Sequence, residues 1–211
     1  MKRLPCLIFA LCATGSLAGE ELLVRDLRLG AVLTPTDFSY TTSDPLASTA
    51  GSDALNDAQG LSLRASWSWS GAGRAWAPIL AAEILAEQAT YGTDGSYEQY
   101  VLRGLGGFGW KPADDWTLSV LALAGVGRPT FTVPVATGGT LSTAGASAST
   151  GVLLGLDYAL SRSWGIGIEV GWIEEVAALS GDGVDIDMTR SGLSAGLGLT
   201  WSWSRQPVRL E

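Results

Sequence analysis

The chain has 211 residues, 46% of them hydrophobic and 16% charged, with a formal net charge of −8 at pH 7. Soluble domains carry roughly 25% charged residues, yet beyond the first residues no stretch approaches the roughly 18 uninterrupted apolar residues of a membrane helix. The acidic balance argues against a nucleic-acid partner, and the absence of histidine removes the usual activator of serine and thiol nucleophiles.

Lys2 and Arg3 precede an apolar run from Leu4 to Ala13, and Ser16-Leu17-Ala18 places small residues where a signal peptidase cuts. Residues 1–18 are therefore predicted to be a secretory signal peptide, too short for a membrane helix. Cys6 follows Pro5 and Cys12 follows Leu11, so neither sits behind the small residue that lipidation requires. With both cysteines removed, no disulfide or thiolate is expected in the remainder. It keeps 11 basic residues, Lys111 being the one lysine, against 21 acidic ones, a net charge of −10.

Period-two alternation then predicts strands over Leu27–Leu33, Leu61–Trp69, Trp76–Ala86, Tyr100–Trp110, Trp116–Val126, Val152–Leu160, Trp164–Trp172 and Leu193–Trp203. Helix competes over Ala77 to Gln88, where Ala, Leu and Glu are frequent, but Pro78 and the flanking strands favour strand. Short connections around Ser70–Arg74, Lys111–Asp115 and Ser161–Ser163 alternate with longer ones around Pro35–Gln59, Gln88–Tyr97, Phe131–Ala146 and Leu179–Asp187. Eight strands with alternating short and long connections predict an all-β fold, an eight-stranded antiparallel up-and-down transmembrane β-barrel over residues 19–204, followed by a short periplasmic tail at 205–211.

Alternation alone does not say which face points inward. A soluble barrel would cover its outer face with Lys, Glu and Thr, whereas the polar face here is mostly Gly and Ser with isolated charges. Those residues suit a narrow lumen, and the Leu, Val, Ile and Trp face then meets lipid. Indoles favour the interface between hydrocarbon and water. Trp69, Trp76, Trp110, Trp116, Trp164 and Trp203 beside the short turns are thus expected to form a periplasmic belt. On the opposite face Arg28, Arg64, Glu83, Arg103 and Glu169 lie near mid-barrel and are expected to form a lumen ion-pair network, with Asp26 and Asp157 joining lower down.

In this arrangement the chain resembles the small outer-membrane barrels typified by the OmpA transmembrane domain, OmpX and the opacity-type proteins, over roughly Leu22 to Ser204. Ser194, Gly196, Leu199 and Trp201 are spaced like the last-strand signal that such families present to the outer-membrane assembly machinery. The tail from Ser204 to Glu211 departs from that pattern, because many members end on the aromatic itself. The resemblance implies a bacterial outer-membrane location, a monomer, and lipid and lipopolysaccharide as surroundings.

Barrel enzymes of that membrane look dependent on a histidine, which is missing here. Glu83 and Glu169 have acid–base chemistry available, but ion pairing is the simpler expectation. The acidic first loop, with Asp37, Asp44, Asp53 and Asp57, would attract cations at the rim or simply keep the surface soluble. Gly181–Asp187 has carboxylates at spacings open to a calcium ion but lacks the rest of a calcium loop, and Gly104–Gly107 alternates within a strand rather than preceding a helix, so it is no phosphate cradle. No metal or cofactor is predicted. The expected role is non-enzymatic, in membrane integrity or surface interaction; the alternatives are a small gated or solute-selective channel and a secreted soluble barrel binding an apolar ligand.

Overall fold

The computed structural model describes residues 21–43, 48–71, 75–92, 94–134 and 139–204; the expected signal peptide and tail lie outside these. Ten strands form: β1 Glu21–Leu33, β2 Asp37–Ser43, β3 Ser48–Ala54, β4 Asn56–Gly71, β5 Trp76–Tyr91, β6 Gly95–Ala113, β7 Trp116–Pro134, β8 Thr140–Ala159, β9 Trp164–Gly181 and β10 Val184–Ser204. β1, β4, β5, β6, β7, β8, β9 and β10 close into a ring through β1–β10 pairing, all antiparallel. The segment for which helix competed is strand β5 throughout, with Pro78 on the outer face.

β2 continues the line of β1 in one register along β10, from Val24↔Ser204 to Ser43↔Asp185. The β1–β10 ladder lapses at Thr34–Thr36, where Pro35 has no N–H to contribute. Ser194 Oγ bridges the gap by donating to the Leu33 carbonyl at 3.0 Å. The expected loop Pro35–Gln59 is therefore mostly the β2–β3 hairpin, an upward extension of the wall. Asp57, at φ 53, marks the irregularity where β3 gives way to β4.

The other long connections are likewise shorter than expected, because the strands run on. Between β9 and β10 only Asp182 and Gly183 remain, with φ of 50 and 80. Positive φ at both central residues defines the tight hairpin turn that matches strand twist. Asp182 accepts the Ser142 N–H at 2.9 Å, while Asp185 and Asp187 point outward from β10, so the calcium-like spacing belongs to a hairpin.

Following hydrogen-bonded partners round the ring from Arg28 passes Arg64, Glu83, Arg103, Gly125, Ser149, Glu175 and Arg190 and regains the first strand line at Phe38. A climb from residue 28 to 38, at ~3.3 Å per residue across eight strands ~4.8 Å apart, corresponds to a strand tilt of about 40°. The 18 residues of β9 then rise about 45 Å, against an apolar band of about 25 Å in outer-membrane barrels.

The surplus length forms a second storey, and there the alternation inverts. In β9 the outward residues run Trp164, Ile166, Ile168, Val170 and Trp172 and then Glu174, Val176, Ala178 and Ser180; inward, Gly165, Gly167 and Glu169 give way to Ile173, Glu175, Ala177 and Leu179. β10 inverts likewise: Leu193 to Trp203 lie outward near the short turns, whereas Ile186 and Met188 lie inward and Asp185 and Asp187 outward above them. The lower storey turns its apolar face to lipid; the upper one has the polar exterior and apolar interior of a soluble barrel.

Candidate functional site

The lumen holds two buried ion cages along the spiral row that starts at Arg28. In the lower one, Arg64 donates from Nε and Nη2 to Glu83 Oε2 at 2.9 and 2.6 Å and grips Glu169 with both terminal nitrogens, Nη2 at 2.9 Å from Oε2. The other Glu83 oxygen receives Arg103 Nη1 at 3.3 Å. Arg28 Nη1 reaches Asp157 at 3.0 Å and Glu169 at 3.2 Å, while its Nη2 donates to the Gly167 carbonyl at 2.9 Å. The structure thus brings together Arg28, Arg64, Glu83, Arg103 and Glu169, with Asp157 beside them. Asp26 stands apart, one carboxylate oxygen buried without a hydrogen-bond partner.

Glycines opposite the guanidinium groups make this possible. A Cβ on Gly198 would fall 2.3 Å from Arg28 Nε, and one on Gly167 would fall 1.9 Å from Asp157 Oδ1; both are impossible contacts without displacement.

The upper cage was missed in the sequence. Arg190 Nη2 lies 3.0 Å from Glu87 and 2.6 Å from Glu175, and Nη1 also bonds Glu87. Thr34 donates to Glu87 at 2.6 Å, Tyr97 to Gln99 at 2.9 Å, and Gln99 to Ser147 at 2.6 Å and to Glu175. Extending the inward phase of β5 and β9 would have found Glu87 and Glu175. The same extension of β10, from Ser194 through Gly192, reaches Arg190; all three residues lie just beyond the strand bounds that the apolar alternation marked.

Beside the lower cage, on the β5–β9 wall, Ala81, Leu105, Leu121, Leu123, Leu153 and Ile173 form an apolar patch, with Ala81 and Leu105 one inward step nearer the short turns than Glu83 and Arg103. Above the upper cage Phe38, Leu55, Tyr97, Leu179, Ile186 and Met188 pack into a core, with Tyr40, Tyr91 and Phe131 against it. Below the lower cage a polar vestibule of about 340 Å³ reaches the short-turn end past Asp26, Ser68, Thr117 and Lys111. A hollow of about 870 Å³ lies along the wall near the small residues Gly60 and Gly196, with Glu169 at one end and Glu87 at the other.

At the far end Tyr91 donates to Asp53 at 2.7 Å. That bond holds the Asp53 carboxyl below its ordinary value and, with partial burial, pushes the Tyr91 phenol up to about 12.

The tryptophans Trp69, Trp76, Trp110, Trp116, Trp164 and Trp203 all lie at the short-turn end. Trp76, Trp116, Trp164 and Trp203 are exposed on the outer face; Trp69 and Trp110 are half-buried, Trp110 stacked on Trp76 with centroids 5.9 Å apart. Of the four last-strand residues, Leu199 and Trp201 face outward, Ser194 inward to its bond with Leu33, and Gly196 lies opposite Val32.

A closed antiparallel ring with an apolar, aromatic-edged outer belt and a charged, glycine-lined interior is the architecture of a transmembrane β-barrel of the outer-membrane type. The outer-membrane protein OprG from Pseudomonas aeruginosa shares the fold, with a TM-score of 0.54 and 14% identity over 88% of this chain and 98% of that one. Ail, the attachment invasion locus protein of Yersinia pestis, aligns over 86% of this chain and 99% of its own at a TM-score of 0.42 and 12% identity. The outer membrane protease OmpT from Escherichia coli aligns over 90% and 99% at 0.46 and 10%. No protein-family model matches the sequence, and no curated protein matches it either.

Proposed function

We propose that this chain is a closed, non-enzymatic barrel, exported by its signal peptide, that supports membrane integrity and presents its upper storey outside the cell as an interaction surface. The observation that carries this reading is the filling of the lumen: two ion cages, an apolar patch beside the lower one and a packed aromatic core above. Each ion in the cages is paired, and all but Asp157 and Glu169 are buried, so a permeating solute would have to part charges held largely out of water.

The short turns and the tryptophan belt are assigned to the periplasmic side and the long strands to the outside. Lipid and lipopolysaccharide then surround the lower storey, and Leu199 and Trp201 present the lipid-facing half of a last-strand signal to the assembly machinery. A non-enzymatic role is supported by the lack of histidine and cysteine after residue 12 and by Glu83 and Glu169 both being engaged by Arg64.

Planar-bilayer recording of the refolded chain tests the closed lumen. The expected record is a flat baseline; discrete, reproducible openings would replace this reading with a channel. A heat-modifiability gel on the membrane fraction tests the barrel, which should migrate differently before and after boiling.

A further inference from the structure

Among the described residues, the vestibule below the lower cage carries one unmatched charge. The cage closes it above with Arg28, Arg64 and Arg103 against Asp157, Glu83 and Glu169. At the rim Lys111 and Arg162 stand beside Asp114 and Asp115. Cations and carboxylates balance in both groups. Asp26 is left over, lining the vestibule from β1 two residues below Arg28. Its Oδ1 is out of contact with solvent and has no hydrogen-bond partner among the described residues, and the same holds for Thr200 Oγ1. Lys111, whose field reaches Asp26, stands exposed at the rim. A buried carboxylate oxygen without a donor is costly, so the two orphaned atoms mark a place for a donor group.

The walls narrow that group to one class. Asp26 pairs with Ser202 on β10 and Ser66 on β4, and Ser202 already hydrogen-bonds the carboxylate. One acceptor oxygen remains. That is half of what a guanidinium fork takes from a carboxylate and far short of the roughly six to eight oxygens of a calcium shell. An ammonium group, with three N–H donors on one atom, can meet Asp26 Oδ1 and still donate to the Thr200 and Ser66 hydroxyls. Across the lumen the lining turns apolar, with Ile79 and Ala81 on β5 and Leu121 on β7, so an alkyl chain on that ammonium has a surface to bury. The volume of about 340 Å³ falls within the range of small-ligand pockets, roughly 300 to 1,000 Å³.

We infer that the vestibule is a binding site for a small primary alkylammonium ion, its nitrogen held by Asp26 and Thr200 and its chain laid on Ile79, Ala81 and Leu121. The ion enters at the short-turn end and stops below the lower cage, so the site holds a ligand without making a channel. Both ends of a barrel in a nanodisc meet solvent. The test therefore does not depend on which side of the membrane the short turns face, and its failure leaves the closed lumen standing.

The full chain, refolded in zwitterionic nanodiscs, is titrated with n-butylammonium in a calorimeter at about 0.15 M salt, where exposed rim charges are screened. Binding should saturate at one ion per barrel. Asp26→Asn keeps the side-chain shape and should weaken binding at least about tenfold, the loss expected for a charged hydrogen bond, while the barrel keeps its heat-modified migration. Tetramethylammonium has the charge without an N–H, and n-butanol has the chain without the charge; each should bind at least about tenfold more weakly than n-butylammonium. Asp114→Asn/Asp115→Asn should change the affinity by less than about twofold. No saturable binding to the parent, unchanged affinity in Asp26→Asn, or equal binding of tetramethylammonium overturns the site, and a larger loss in the rim variant than in Asp26→Asn gives the attraction to the rim instead. In sequence Arg74 lies in a short turn and Arg205 follows Ser204. Binding that appears only after Arg74→Gln or Arg205→Gln would put the chain's own cation on Asp26 and overturn the free ligand.

Discussion

Glu83→Ala is the sharpest perturbation of the lower cage. Glu83 is 2% exposed and joins two cations, Arg64 at 2.6 Å and Arg103 at 3.3 Å. Arg64 keeps Glu169 when Glu83 is removed, but among the described residues Arg103, 4% exposed, has no other carboxylate partner. An unpaired buried charge costs ~3 to 5 kcal/mol. With a urea slope of about 2 kcal/mol/M, the midpoint of unfolding should fall by about 2 M, read by tryptophan fluorescence in lipid vesicles. The double variant Glu83→Ala/Arg103→Met removes the stranded cation as well and should recover at least about half of that loss, since apolar replacements of buried pairs are often neutral. Water entering the vacated space would lower the cost and show instead as ion leakage, so conductance is recorded on the same preparation. A Glu83→Ala barrel as stable and as tight as the parent, or a double variant as costly as its two single variants added together, would refute the cage as a coupled unit.

Arg190→Met leaves Glu87 and Glu175 facing each other without a cation and should destabilise more than Glu83→Ala; adding Glu87→Gln and Glu175→Gln should restore most of the loss in the same urea titration. Gly167→Ala drives a methyl into Asp157 and should cost ~1 to 3 kcal/mol, seen as a lower temperature of gel-mobility change. The Tyr91 phenol should titrate at about 12 instead of 10.0. Because its folded value is raised, the contribution of its bond to Asp53 is complete below pH 10.0 and is lost as pH rises through about 12; tyrosine NMR would show this, and a Tyr91 titrating at its ordinary value would remove it. Brominated lipids should quench Trp76, Trp116, Trp164 and Trp203 as one shallow band, and indoles spread evenly through the hydrocarbon would contradict the belt.

The eight barrel strands were legible because lipid on one side and a narrow lumen on the other enforce strict alternation: Trp164 to Trp172 against Gly165 to Gly171 admits one reading. The lower cage was legible for the same reason, since counting inward from each short turn puts Arg28, Arg64, Glu83, Arg103 and Glu169 on one face at similar heights. The upper storey was not legible as strand. Its outer residues, Ser39, Thr41, Ser43, Asp185 and Asp187, are those of a solvated loop, and its inner ones, Phe38, Ile186 and Met188, continue in phase with the lumen rather than with the apolar face below. A search for continued alternation fails at that inversion, and polar, Gly-rich composition then reads as loop. Registers decide the matter: Phe38 lies opposite Arg190, and the Arg28 row reaches Phe38 only after a full turn of the barrel.

The inversion also divides the sources of stability. In the lower storey the apolar face remains against hydrocarbon, so burial of Leu, Ile and Trp places the barrel in the membrane but does little to close it. Closure there falls to the unbroken hydrogen-bond ring and to the cages, whose ions would each carry a desolvation penalty if separated. Above the belt water returns, and packing of Phe38, Leu55, Tyr97, Leu179, Ile186 and Met188 supplies an ordinary hydrophobic term. The two regimes meet at Thr34–Thr36, where the ladder lapses and Thr34, the Pro35 carbonyl and Ser194 tie the wall to Glu87, Arg190 and Leu33. The upper cage therefore links a storey closed by polar contacts to one closed by apolar packing. Variants in it should loosen the upper storey while the belt stays inserted, whereas variants in the lower cage act on the membrane barrel itself.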